Sequence, residues 1–227
     1  MIVAEKVAAA WRERKTNYEQ KEDFGSAIQW FEYAFQLGGG ADLALTRKAA
    51  DLRLRQYDDS IKQWEAYIAS GIEDPELASA VAQLTEIKQQ RDEVRLQEAK
   101  TRVDRNPTDL QFRYELGEIF LSLGMTQEAI PELQKARQNP NVRTRAMNLL
   151  GRCYDAKGMY DMAAKILSDA AGELLSMDST KKEIIYSLGL VYEKMGEKEK
   201  SIESMKLIYE VDYDYKDVAP RVEGAYE

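Results

Sequence analysis

Residues 186–196 read YSLGLVYEKMG, and the same skeleton stands at 114–124 as YELGEIFLSLG and at 148–158 as NLLGRCYDAKG. Each copy has Leu-Gly, an aromatic residue three positions after that glycine, and a second glycine seven positions after it. The first glycines, Gly117, Gly151 and Gly189, stand 34 and 38 positions apart. Self-similarity at such a period marks an array of stacked units, none of which buries its apolar face alone.

Downstream of each second glycine the residues again correspond: Ala129, Leu133 and Ala136; Ala163, Leu167 and Ala170; Ser201, Met205 and Ile208. A helical hairpin accounts for these types. The first glycine and the small residue of the second helix are expected where bulk would hold the two helices apart. The second glycine, Gly124, Gly158 or Gly196, suits a left-handed helix end, where a missing Cβ removes the steric cost. Leu-Gly, the aromatic, the turn glycine and the small residue, at a 34-residue period, resemble the tetratricopeptide repeat family. The resemblance implies an all-α fold, a right-handed superhelix of antiparallel helix hairpins (a TPR-like solenoid), with repeats at 110–143, 144–177 and 182–212. The longer interval contains AAGELLSMDSTKK; four extra residues are about one helical turn, which keeps the apolar face in phase. Thr108 with Gln111 and Thr180 with Glu183 read as capping boxes, and Asp74-Pro75-Glu76 as a cap before a first-turn proline.

Upstream the pattern decays. Trp11, Tyr18, Ala27, Phe31 and Ala34 resemble a full repeat at 8–40, with Arg14 and Lys15 at the Leu-Gly positions. Segment 41–72 has Leu45, Ala49 and Leu52, then Ser60, Trp64 and Tyr67 but no turn glycine, and reads as a degenerate repeat. From Pro75 to Arg105 the sequence leaves two readings open: a turn hidden in KQQRDE, or one helix of about 28 residues, roughly 42 Å long. The lack of any turn residue favours the single helix. The organisation expected is two divergent hairpins over 1–74, a long connecting helix or degenerate hairpin over 75–105, and three well-formed repeats plus a C-terminal capping helix over 106–227. Residues 216–226 are expected to form that cap.

Composition excludes several function classes. Histidine is absent, which removes His-based acid-base catalysis, Ser-His-Asp and Cys-His systems and nearly all zinc sites. A net charge of −8 repels nucleic-acid phosphates and anionic lipid surfaces. No apolar run approaches the roughly 20 residues of a membrane helix. Cys153 is the one cysteine, and Glu5 and Lys6 interrupt the apolar start that a signal peptide needs, so a cytoplasmic location is expected. LGGGAD (37–42) lacks the Gly-Lys-Ser/Thr ending of a phosphate loop and reads as a helix end followed by a linker. Cys153, inside a helix with no histidine partner, reads as a structural thiol. Met147 and Met205 fall on core positions of the motif, and no D-x-D-x-D-G pattern suggests calcium. No catalytic residue, metal or cofactor is expected.

In the family the first helices line a concave groove. The groove positions it implies here include Tyr114, Glu118, Arg145, Asn148, Arg152, Asp155, Glu183, Tyr186, Leu190, Glu193 and Lys194. Of these Tyr114, Arg145, Asn148, Arg152, Tyr186 and Leu190 are the candidate partner-binding residues, because tyrosine and arginine most often carry interface energy. Two readings of that face compete: a binding patch, or a solvated face in which Arg152 pairs with Asp155 and the tyrosines cover neighbouring helices. A carboxylate clamp of the kind cochaperones use is absent, since its positions hold Tyr114, Glu118, Leu149, Glu183 and Ser187. The function expected is a non-enzymatic scaffold binding a protein or peptide partner, with no nucleic acid and no membrane. A self-association module forming a homo-oligomer, or a fragment of a larger multi-repeat protein, is the second reading.

Overall fold

The computed structural model describes residues 23–39, 42–71 and 76–226, and the expected first helix of the 8–40 repeat, with Trp11, Arg14, Lys15 and Tyr18, lies outside them, as does the Asp74-Pro75 cap. The chain forms two compact units, one ending at Glu98 and one beginning at Ala99. Among the described residues there are ten helices and no strand.

In the first unit α1 (Phe24–Leu37) packs against α2 (Leu43–Ala69). Ala27, Ile28 and Phe31 of α1 and Ala49 and Leu52 of α2 form its core, with Phe24 and Leu45 packed against it. Arg53 of α2 is ion-paired with Glu32 of α1. The glycines after Leu37 act as a helix end: Gly38 donates to the Ala34 carbonyl and Gly39 takes φ 69°. Asp42 then caps α2 by accepting from the Ala44 amide at 3.0 Å.

The degenerate hairpin expected at 41–72 is not there. Instead α2 runs for 27 residues, past Ser60, Trp64 and Tyr67, because no glycine or proline interrupts it before Gly71, whose φ is 84°. Its successor α3 (Glu76–Arg105) is likewise one helix of 30 residues, and the KQQRDE stretch is simply part of it. Lys88 of α3 pairs with Glu65 of α2 at 2.8 Å.

The second unit carries three helix pairs: α4 (Leu110–Ser122) with α5 (Thr126–Ala136), α6 (Arg143–Ala156) with α7 (Tyr160–Glu173), and α8 (Ser179–Lys194) with α9 (Lys198–Tyr209). Each of the first two second helices, α5 and α7, also packs on the first helix of the next pair. The short α10 (Val218–Glu223) closes the stack against α9.

Each first helix ends identically. Gly124, Gly158 and Gly196 have φ of 73°, 72° and 79°. The amide after each glycine bonds back to the aromatic five residues before it: Met125 to Phe120 at 2.8 Å, Met159 to Tyr154 at 2.9 Å, Glu197 to Tyr192 at 2.9 Å. These are Schellman ends, in which carbonyls left over by the helix are satisfied and the chain is turned into the next helix. The repeated aromatic therefore supplies a carbonyl as well as a ring.

The Leu-Gly glycines face a different neighbour from the one expected. A Cβ on Gly117 would lie 2.6 Å from Leu133 Cγ, one on Gly151 would lie 2.5 Å from Leu167 Cγ, and one on Gly189 would lie 2.7 Å from Met205 Cε. The space is thus used by the large residue of the second helix; at Gly189 the Ser201 carbonyl also comes within 3.4 Å, and Ala129, Ala163 and Ser201 are all buried. Leu133, Leu167 and Met205 are each 0% exposed, so the missing Cβ is what lets a full side chain fill the hairpin interior.

The caps are also shifted from the expected threonines. Asp109, not Thr108, caps α4 by accepting from the amides of Gln111 and Phe112, and Asp178, not Thr180, caps α8 by accepting from Lys181. A carboxylate satisfies leftover amides as well as a hydroxyl does and adds a favourable charge at the helix start. Arg113 of α4 and Glu132 of α5 form a largely covered ion pair at 2.6 Å.

Candidate recognition groove

Successive first helices touch one another, α4 with α6 and α6 with α8, whereas successive second helices do not. A stack closer on one side than the other is curved, and here the first helices form the inner wall. The six candidate residues all lie on these three helices.

Four of them are on α4 and α6. Tyr114 is buried, and the Arg145 guanidinium lies 5.3 Å from its ring centroid, which ties α6 to α4. Its hydroxyl donates to Glu118 at 3.3 Å. Burial first, then the negative charge of Glu118, pushes the phenol up to about 12. Glu183 of α8 adds to the same effect and Arg145 opposes it. Arg145 also donates to the Asn141 carbonyl. Asn148 is 5% exposed, and its Oδ1 has no hydrogen-bond partner among the described residues. Arg152 is exposed and has no ion-pair partner among them. The Arg152 to Asp155 pair expected of a solvated face is not formed: Lys194 of α8 holds both Asp155 oxygens at 2.7 Å.

Tyr186 and Leu190, on α8, contact the C-terminal segment. The Tyr186 hydroxyl donates to Asp217 at 2.6 Å, Tyr215 packs edge-on to its ring at 6.0 Å, and Lys216 Nζ sits 4.2 Å from its centroid. Leu190 packs on the cluster of Ile185, Met205, Ile208, Val218 and Val222. Arg221 of α10 bridges Glu193 and Asp217, each at 2.7 Å. Burial, then the Asp217 contact, raises the Tyr186 phenol. The Tyr186 hydroxyl, and then Arg221, hold the Asp217 carboxyl below its usual range. Of the six candidates, Tyr114 and Arg145 are in contact, Asn148 and Arg152 stand on the same helix as Arg145, and Tyr186 and Leu190 are engaged with the C-terminal segment.

Lys216, Asp217 and Arg221 are neighbours of the Tyr186 face that the sequence alone did not single out. A signal was present: Val218 and Val222 stand one helical turn apart, with Asp217 and Arg221 at the same spacing beside them. Lys216, with φ 50°, is the one positive-φ residue other than glycine among those described. Cys153 is fully buried and its thiol is pushed up to about 11 by burial, the state of a packing group. Met147 and Met205 are buried in the core, while Met159, Met162 and Met195 are exposed. Among the described residues no cluster of acids and cysteine has metal-ligand geometry, and no helix is long and apolar enough to cross a membrane.

The tetratricopeptide repeat family model matches residues 144–172 and 183–215. A search of curated proteins finds no match in sequence. Among solved structures the chain is similar to residues 41 to the end of MamA from Desulfovibrio magneticus RS-1, with a TM-score of 0.54 at 13% identity over 92% of this chain and 97% of that one. It is also similar to YrrB, a TPR protein with an unusual peptide-binding site (TM-score 0.52, 17% identity, 98% of each chain). A thermophilic TPR protein in Thermus thermophilus matches at 0.51 with 19% identity, over 89% of this chain and 98% of that one. At such identities the likeness is one of fold. With two hairpins matched by the family model and a third, α4 with α5, repeating their glycines and turns, the second unit carries tetratricopeptide repeats.

Proposed function

We propose that the chain is a non-enzymatic, cytoplasmic interaction scaffold that holds a peptide or helical segment of a protein partner against the inner wall of α4, α6 and α8. The observation that carries this reading is the wall itself, formed where α4 touches α6 and α6 touches α8, with Arg152 exposed on it and without an ion pair among the described residues. The likeness to YrrB, described as having a peptide-binding site, agrees with this use of the fold. The test is capture of partners from native lysate by wild type and by an Asn148→Leu, Arg152→Glu double variant whose melting is unchanged. Proteins retained by wild type and lost by the variant support the reading; identical retention by both overturns it.

Self-association is the second reading. Tyr33 and Leu37, one helical turn apart on α1, are 52% and 50% exposed, an apolar pair of the kind that meets another surface. Light scattering that gives 26.0 kDa at every concentration removes it.

A further inference from the structure

We draw no further inference here: the strongest candidate, the open cleft at the C-terminal end of the stack between α9 and the residues that follow α10, lined by Ile202, Lys206 and Tyr226, is an unpartnered face, and nothing in the structure shows what covers it.

Discussion

The two units solve the same problem, covering amphipathic helices, by different means. From α4 to α9 each helix is 11 to 16 residues long, the first of each pair ends at a positive-φ glycine, and a second glycine admits a large side chain from its partner. In the first unit α2 has 27 residues and α3, which continues beyond it, has 30, and the described contacts between them include exposed ion pairs such as Lys88 to Glu65. What separates the regions is punctuation: in the second unit a positive-φ glycine ends the first helix of each pair, whereas α2 meets no glycine or proline before Gly71 and α3 none before Pro107. Turn chemistry, more than apolar pattern, decides the architecture here.

The comparison is broken most severely by placing a helix breaker where the first unit has none. Asp59→Pro in the middle of α2 is expected to cost about 3 kcal/mol or more, read by denaturant unfolding; a hairpin turning near that residue would tolerate it. In the second unit, Gly151→Ala is expected to lower stability by about 1–3 kcal/mol, since the new methyl meets Leu167 at its branch point. Gly189→Ala is expected to cost less, because it meets the terminal methyl of Met205, which swings aside. Equal costs would contradict the assigned crossing contacts. Gly172→Ala, also in a helix but with nothing within 4 Å, is expected to stabilise by about 0.5–1 kcal/mol.

The smallest expected effect concerns the cap. Asp217 has a folded pKa below its unfolded one, so its contribution is present above the unfolded value and lost as pH falls through the folded one. Tyr186 is raised, so its contribution is present below the unfolded phenol value and lost as pH rises through the folded one. Amide exchange at 218–223 is expected to be slowest in the window between, with Tyr186→Phe removing the acid limb that depends on the Asp217 bond.

Much of the second unit was legible before any coordinates. Gly124, Gly158 and Gly196 mark helix ends through a local rule, and local rules survive folding intact. The partner of Gly151 was not legible, because which side chain fills a missing Cβ depends on the crossing of two helices. The hairpin expected at 41–72 failed because apolar spacing was allowed to stand in for a turn residue that α2 lacks. In the groove, the line of Arg145, Asn148 and Arg152 follows from helical spacing alone. The engagement of Tyr186 with Asp217 does not, since it joins residues 31 positions apart.

The most direct test of the account is backbone-amide NMR on isotope-labelled protein as a peptide from a captured partner is added. The account predicts that amides of α4, α6 and α8 shift while those of α5, α7 and α9 stay unmoved. Saturable binding that moves the second helices instead would contradict it.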